Sequence, residues 1–310
     1  MAVPDNLITS QTITNPDNPI LARAIDFISS FQSNWAKVSQ IMNITKPIRK
    51  APGTKLEGLK TTVTLADPDV PEGEETPLSE VQFEPVPYGD LELKAYAKGV
   101  TSKAIEKYGA KIAIRKSDNA FLTKLQNGIL NEYYDFLLTG TLGNDQTYST
   151  FQMALSMARS LVLDAFEKMD LDTTGVVAYA NTLDVGEYLG NHNQLTTQKE
   201  YGIEYLKNFL GVDTLIVTSR IPRGKVVAIP VDNIVDYYID PEDNDFREAG
   251  LVYTTWGDTR LIGVHIEGNH RRNIGLMEVL MGHKLFAEYL DGIAVVNFGE
   301  GETNPDEGEL

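Results

Sequence analysis

The sequence predicts an α+β protein with one long central helix and an extended β-hairpin that leaves the folded part. Three observations carry this prediction: two segments that alternate apolar and polar residues flank an acidic, proline-rich connection, a long amphipathic helix follows them, and short strands alternate with helices after Gly175. The 310 residues are 42% hydrophobic, which is enough apolar material for one large core or two smaller ones.

The chain is expected to begin with an arm and a short helix. The first 20 residues are polar and rich in turn-forming residues, so they offer little to bury. Asn18 is suited to cap a helix, and Pro19 to occupy its first position. Apolar residues then recur at helical spacing, at Ile20, Leu21, Ala24, Ile25, Ile28 and Phe31.

The hairpin is predicted between strands at residues 61–66 and 91–98, because both segments alternate with a period of two. In the second strand, the leucines and alanines at the odd positions are expected to share one face. From Thr61 to Leu93 the chain has nine acidic residues, five prolines and no Lys or Arg. Such a connection cannot form a core of its own. It is either an unstructured acidic tip or an arm that becomes ordered on a neighbouring subunit.

Helices are predicted after the hairpin. If residues 101–116 are helical, four cations at every fourth position form one basic stripe, although Gly109 disfavours a helix by about 1 kcal/mol. An ordinary solvated face is the alternative. The long helix is predicted to begin at Asp118–Asn119 and to stop at Thr139–Gly140. Its apolar stripe is Leu122, Leu125, Ile129, Tyr133 and Phe136, and that of the next helix is Phe151, Leu155, Ala158, Val162, Ala165 and Met169.

The remainder is predicted to alternate short strands and helices. Strands are expected at residues 176–180, 213–218 and 225–231, with a helix at 182–189 and a turn at 220–224. A hairpin is expected from residues 251–256 and 261–267, followed by a strand-rich region at 274–298. The last 12 residues contain five acids and no base, which is typical of an unstructured tail.

Composition excludes several classes of function. The chain has 27 Lys and Arg against 44 Asp and Glu, a net charge of −17, which argues against DNA-phosphate binding and against an anionic membrane surface as partner. It contains no cysteine, which excludes disulfides and thiolate chemistry. No apolar run is long enough for a membrane span, and no signal-peptide pattern is present, so a soluble, cytosolic chain is expected.

Only one weak candidate for chemistry exists. His265 and Glu267 would share one face of a strand, and with His270 they have the residue types of an iron or zinc site. However, a Gly-Asn pair breaks the strand before His270 and two arginines follow it, so a polar strand end is favoured. Residues 240–245 resemble a calcium loop in composition only. No catalytic, cofactor or metal site is therefore predicted.

Several strings in this sequence are similar to those of one family. They lie at residues 13–27, 63–79, 104–109, 125–129, 136–140 and 272–296. Together they resemble the N-terminal arm, extended loop, spine helix and late strands of tailed-bacteriophage major capsid proteins with the Hong Kong 97 fold, of the type found in phages of Gram-positive hosts.

The resemblance implies a domain plan. Residues 1–50 would form the N-terminal arm and first helix, and residues 51–98 the extended hairpin loop. Residues 99–148 and 267–291 would form a peripheral domain with the spine helix. Residues 149–266 and 292–310 would form the axial domain and acidic tail.

The same resemblance implies a structural subunit, not an enzyme, with no cofactor. It would assemble as pentamers and hexamers into an icosahedral head around DNA in the host cytoplasm, and would end in the virion. Its other partners would be a separate scaffolding protein and a portal protein. The subunit contact is expected to join a loop to a basic stripe: Asp67, Asp69, Glu72, Glu74, Glu75 and Phe83 with Lys103, Lys107, Lys111 and Arg115.

Other functions stay open beside this one. An encapsulin-type shell would have the same fold and would enclose protein. A metal-dependent cytosolic enzyme would use His265, Glu267 and His270, and an acidic chaperone-like module would stay small at all concentrations. Because residues 61–93 contain no lysine, a covalent cross-link through the loop, as some relatives form, is not expected.

Overall fold

The structure is a computed structural model that describes residues 19–45, 47–66, 78–169, 171–192, 197–231 and 233–299. The helices in these ranges are α1 (Pro19–Met42), α2 (Ser102–Tyr108), α3 (Ala110–Leu137), α4 (Phe151–Lys168), α5 (Thr182–Asn191) and α6 (Asn244–Glu248), with a short 3-10 helix at Leu290–Gly292. The strands are β1 (Ile48–Lys50), β2 (Lys55–Thr64), β3 (Glu80–Asp90), β4 (Lys94–Thr101), β5 (Thr147–Tyr148), β6 (Val176–Ala180), β7 (Gln198–Glu200), β8 (Ile203–Phe209), β9 (Val212–Val217), β10 (Lys225–Pro230), β11 (Ile234–Ile239), β12 (Gly263–Asn269), β13 (Ile274–Ala287) and β14 (Ala294–Phe298).

A five-stranded sheet forms the first half of the fold. The long strand β13 pairs with β4 and β12 along its first part and with β11 along its last part, and β1 adds to β11 in parallel. Strand β11 comes from the range predicted for the axial domain but pairs in this sheet. The domain limits implied by the resemblance stay a prediction.

A seven-stranded mixed sheet forms the second half, in the order β5-β14-β10-β6-β9-β8-β7. All five residues of its central strand β6 are buried, because both faces of the sheet are covered. Val177 and Tyr179 pack into a core that includes α1, α3 and the five-stranded sheet. Ala178 and Ala180 pack on the other face, against α4 and α5.

The predicted strands and helices of the second half are largely confirmed. Strands β6, β9 and β10, helix α5 and the turn at residues 220–224 lie where the alternation placed them. The hairpin expected at residues 251–256 and 261–267 is wrong, because the first segment contributes only one isolated bridge, from Thr254 to Val264. Strand β12 pairs with β13 instead, along its whole length. Strands β8 and β11 were not predicted.

Two helices are longer than predicted. The first helix, α1, runs for 24 residues and begins at Pro19, and its later turns bury Trp35, Val38 and Met42. The long helix begins at Ala110, eight residues before the predicted start. Asp118 lies inside this helix and does not cap its end. Its carboxylate instead binds Arg23 and Lys98, which come from other elements of the fold. The predicted stripe of α3 is confirmed, with Leu122, Leu125, Ile129 and Tyr133 buried and Phe136 partly buried.

The strand that closes the hairpin was placed wrongly. Strand β2 pairs with β3, which includes Pro85 and Pro87, and not with the segment at 91–98. Proline is tolerated there because a two-stranded sheet has a free edge on each strand. Strand β4 is also turned over: Ala95 and Ala97 are exposed, while Tyr96 packs against the core. A tyrosine ring buries more apolar area than an alanine methyl group does.

Gly140 was predicted to be a helix-ending glycine, but the structure gives a different reason for it. Helix α3 ends at Leu137, and a Cβ atom on Gly140 would lie 2.5 Å from Ile293 Cγ2 and 2.7 Å from the Ile293 carbonyl oxygen. The residue is therefore a point of close approach between the turn after α3 and the segment that leads into β14. The sequence has no signal for this contact, because Ile293 is far away along the chain.

Gly140→Ala is expected to destabilise the subunit by about 1–3 kcal/mol, because the methyl group overlaps backbone that cannot move aside freely. The matched control is Gly128→Ala, inside α3, where a Cβ atom would meet nothing within 4 Å. That variant should gain about 0.5–1 kcal/mol through higher helix propensity. Urea unfolding of the unassembled subunits measures both, and equal stabilities of the two variants would contradict the close approach.

Candidate subunit-contact surfaces

The β2–β3 hairpin projects from the fold as a separate two-stranded sheet. Its ten paired positions run from Lys55↔Asp90 to Thr64↔Glu80, and neither strand pairs with any other strand of the described ranges. Its end is exposed at Leu65, Leu78 and Val81. An isolated two-stranded hairpin is at best marginally stable in water. We therefore expect contact with another surface to stabilise its extended shape.

The base of the hairpin is anchored firmly. Leu56 and Leu91 are buried with Val235, Ile239 and Phe286 in a small apolar cluster on the five-stranded sheet. Lys284 Nζ also lies 3.4 Å from the Asp90 carbonyl oxygen. The fold thus fixes where the hairpin starts and leaves its outer part free to reach away from the core.

The predicted basic stripe is split between two helices. Lys103 and Lys107 lie on α2, Lys111 and Arg115 lie on α3, and all four are exposed. Gly109, with φ 77° and ψ 144°, ends α2 and redirects the chain before α3 begins, so the stripe on one straight helix is wrong. No carboxylate of the described ranges forms an ion pair with any of the four. We call this surface the basic face.

The acidic partners expected for the basic face lie elsewhere. Asp67, Asp69, Glu72, Glu74 and Glu75 fall outside the described residues. Phe83 belongs to strand β3, within the projecting hairpin. The pairing of these six residues with the basic face therefore stays a prediction.

A charged cluster behind the basic face holds three elements together. Both Arg23 on α1 and Lys98 on β4 bind the Asp118 carboxylate on α3, and the Arg23 bond is bidentate, at 2.8 and 2.7 Å. All three side chains are at most 21% exposed. Burial alone would raise the pKa of Asp118, but the bonds from the two cations lower it below its usual value. Burial lowers the pKa of Lys98 despite the bond to Asp118.

Asp118→Asn is expected to cost about 2 kcal/mol at neutral pH, because two part-buried cations lose their carboxylate. The depressed folded pKa means that this stability is present above the unfolded pKa, about 3.9, and is lost as the pH falls through the folded pKa. Urea unfolding of the unassembled subunit should show the gap to wild type at neutral pH and a smaller gap near pH 3. Asp26→Asn, at an exposed position of α1, is the control; a gap of constant size would contradict the assignment.

A second polar cluster lies deep in the core. The Asp236 carboxylate on β11 accepts a 2.9 Å hydrogen bond from Trp35 Nε1 on α1, and its other oxygen contacts His283 Nε2 on β13. The side chains of Asp236 and His283 are fully buried, and the Trp35 and His283 rings meet edge to face, with centroids 4.7 Å apart. The cluster therefore joins α1 to two strands at defined positions. Sequence reasoning missed it, because Asp236 is 201 residues from Trp35 and 47 residues from His283 along the chain. Only folding brings the three side chains together.

Buried tyrosines connect the long helix α3 to the seven-stranded sheet. Tyr133 on α3 and Tyr179 on β6 share a 2.6 Å hydrogen bond between their hydroxyl groups. Burial raises the pKa of both far above the ordinary value, so both stay protonated. Arg220 bonds to Asn127 and Asn131 on α3 next to this pair. These contacts hold the long helix against the seven-stranded sheet.

The candidate metal site is not assembled by this fold. His265 Nε2 and Glu267 Oε2 lie on one face of β12, 3.9 Å apart, and His270 lies beyond the end of the strand, in the turn. Among the residues that the structure describes, no three His, Cys, Asp or Glu side chains come together as metal ligands would. None of the described helices is both long and apolar enough to cross a membrane.

The acidic turn at residues 240–245 is bound by arginines. Asp240 contacts Arg49 and Arg260, at 3.4 and 3.6 Å, and Glu242 contacts Arg260 and Arg247, at 2.7 and 3.5 Å. These carboxylates are already paired with cations, which explains why a composition like that of a calcium loop occurs here.

Comparison with known proteins identifies the fold. No protein-family model and no curated protein matches the chain. Among solved structures, a chain of the satellite phage P4 procapsid, which includes the size determination protein Sid, is 10% identical, with a TM-score of 0.50 and coverage of 89% of this chain and 91% of that one. A chain of the capsid of a native GTA particle is also 10% identical, with a TM-score of 0.50 and coverage of 86% and 90%. The holo-SrpI encapsulin complex from Synechococcus elongatus is 14% identical, with a TM-score of 0.49 and coverage of 87% and 89%.

With its projecting hairpin, long helix and two sheets, the chain has the Hong Kong 97-type capsid fold.

Proposed function

We propose that this protein is the structural subunit of an icosahedral bacteriophage head, in which pentamers and hexamers of the chain enclose the double-stranded DNA genome. The observation that carries the proposal is the β2–β3 hairpin, which is anchored at its base and pairs with nothing else in the described chain. In a shell, the outer part of each hairpin would lie on a neighbouring copy, which would supply the support that the hairpin lacks on its own.

The charge of the chain supports this role. A net charge of −17 disfavours tight binding of the DNA phosphate backbone, which suits a wall that must release its contents. Individual exposed ion pairs between copies contribute only about 0.2–1 kcal/mol. Many weak contacts of this size would let misplaced subunits dissociate during assembly and still give a stable closed shell.

The proposal includes the partners and location of the protein. A separate scaffolding protein would guide assembly in the host cytoplasm, a portal protein would occupy one position of the shell, and the mature protein would belong to the virion. The role is structural, without a catalytic step.

Negative-stain microscopy of the expressed chain, alone and with the neighbouring phage proteins, tests the proposal. We expect closed particles of uniform size, with nucleic acid inside those made during infection. A compact monomer at all concentrations would contradict the proposal. Particles filled with a specific protein would instead identify an encapsulin-type compartment, the alternative function for the same fold.

A further inference from the structure

A groove lies at the end of strand β14, between the N-terminal turn of α4 and one side of α5. Its volume is about 1100 Å³, and the turn that precedes β10 forms its third side. None of its described lining residues belongs to the hairpin, the basic face or the two buried carboxylate clusters. The lining includes aromatic and charged side chains, at Phe151, Gln152, Asp184, Tyr188, Arg223, Lys225 and Phe298.

Three aromatic rings that contact one another line this groove. Phe151, the first residue of α4, contacts Tyr188 of α5 and Phe298 of β14, with ring centroids 5.5 and 5.6 Å apart. Phe151 is buried, and the other two rings are partly buried. Aromatic rings of this kind offer a large apolar surface at a fixed position. The groove therefore suits an occupant with an apolar part, such as a proline ring.

The charges of the groove favour an acidic occupant. The Asp184 carboxylate is 5% exposed and accepts hydrogen bonds from Arg223 Nε, at 2.9 Å, and from the Gly224 amide, at 2.8 Å. Glu187 lies 3.2 Å from the same arginine, so both acids of the groove already have a cation. Lys225 forms no ion pair with any carboxylate of the described ranges. The first turn of α4 also contains no acid to balance the positive partial charge of the helix N-terminus.

The chain itself leads into this groove. Gly299, the last residue that the structure describes, lines the groove, and its amide donates a 2.9 Å hydrogen bond to the Tyr148 carbonyl oxygen. The Phe298 amide donates a 2.8 Å hydrogen bond to the Gly224 carbonyl oxygen. These two bonds fix the point from which residues 300–310 continue. We call residues 300–310 the acidic segment.

The acidic segment has the composition and length that the groove requires. It contains five acids, no base and a proline at position 305. Its 11 residues reach up to about 36 Å when extended, whereas the groove follows α5 from Asp184 to His192, about 12 Å. A segment tethered at the groove has an effective concentration in the millimolar range. An interaction too weak to join separate molecules is therefore enough to fill the groove.

We propose that the acidic segment of each chain docks in this groove of the same chain. Its carboxylates lie against Lys225 and the N-terminus of α4, and Pro305 packs on the aromatic rings. The groove is thus a binding site for an acidic, extended peptide that the chain itself supplies. The docked segment also keeps acidic parts of other molecules out of the groove. This inference goes beyond the proposed function, because it concerns a single chain and does not need a shell.

The accessibility of one introduced cysteine tests the docking, because the sequence contains no cysteine. Gln152→Cys places a thiol at an exposed position of the groove. With a bulky maleimide, this thiol should react at least about fivefold more slowly in the unassembled chain than in a neutral variant of the same length, because it reacts only while the groove is open. The difference should shrink in about 1 M salt, which screens the charges. The neutral variant carries Glu300→Gln, Glu302→Gln, Asp306→Asn, Glu307→Gln and Glu309→Gln.

Lys207→Cys is the control for this measurement. Lys207 is exposed on β8 and does not line the groove, so its thiol should react at one rate in both chains. Equal rates for Gln152→Cys in both chains would overturn the docking. Slow reaction that appears only after assembly would overturn it as well, because the segment of another copy would then be the occupant.

A labelled peptide with the sequence of residues 300–310 gives a second measurement that needs no cysteine. By fluorescence anisotropy, it should bind the neutral variant at least about tenfold more tightly than the unaltered chain, whose own segment competes for the groove. Lys225→Glu in the neutral variant should weaken this binding by about fivefold, the effect of one exposed ion pair. Lys207→Glu, the same change of charge outside the groove, should leave it unaltered. Equal binding to both chains, or no binding to the neutral variant, would overturn the docking.

Discussion

A subunit in which residues 58–86 are replaced by an Asn-Gly turn is expected to fold normally and to form no shells. The two turn residues join Glu57 to Pro87, which already face each other in the hairpin, and a two-residue connection suits such a pair. Leu56, the buried anchor of the hairpin, is retained. The free energy of unfolding should therefore change by less than about 1 kcal/mol, as for other surface changes. Assembly should be lost entirely, because the proposed contact between copies is gone.

Sedimentation of the purified protein separates these two effects. The unaltered chain should sediment as large particles, and the shortened chain as a monomer with an unchanged far-ultraviolet circular dichroism spectrum. The control is Val252→Ser, an exposed apolar position outside the hairpin, which should assemble like the unaltered chain. Normal particles from the shortened chain would contradict a role of the hairpin in assembly. A shortened chain that does not fold would show that the core needs the hairpin for its stability.

Asp236→Ala is expected to have the largest effect on stability, a loss of about 3–5 kcal/mol. The variant leaves Trp35 Nε1 and His283 Nε2 without the carboxylate that both contact, in a site that water does not reach. Asp236→Asn keeps one oxygen as an acceptor, so it should cost less than the alanine variant. Urea unfolding of the unassembled subunit measures both.

The control for Asp236 is Asp243→Ala. Asp243 also binds one cation, through a 2.9 Å contact with Arg49, but the Arg49 side chain is 53% exposed. An ion pair that remains in water contributes little, so this variant should lose less than about 1 kcal/mol. Similar losses for Asp236→Ala and Asp243→Ala would show that the buried cluster does not hold α1 to the sheet.

Local patterns predicted much of the secondary structure. Helix α3 was predicted from the helical period of its apolar stripe, because one face of it packs against the core. Strand β6 was predicted from its wholly apolar composition, because both of its faces are buried. The start of α3 did not follow from local signals. Asp118 is a good capping residue by type. Only its contacts with Arg23, 95 residues away, and Lys98, 20 residues away, show why it lies inside a helix.

The error in strand β4 has a similar origin. Alternation alone shows that one face is buried but not which one, and a slip of one residue exchanges the faces. Tyr96 faces the core because the five-stranded sheet and α3 create a site for its ring. In the same way, the two exposed apolar residues of the basic face, Tyr108 and Ile112, look like ordinary helix residues until the fold leaves α2 without a buried side.

The sequence by itself determined that this protein has a long acidic, lysine-free hairpin segment, a long helix and a region of alternating strands and helices, because composition and periodicity are local properties. Only the tertiary structure decided which strand closes the hairpin, where the buried Asp236 and Asp118 clusters form, and that the cations of the predicted stripe lie on two separate helices, α2 and α3. These features depend on residues that are distant in the chain, and their energies exist only once folding brings them together.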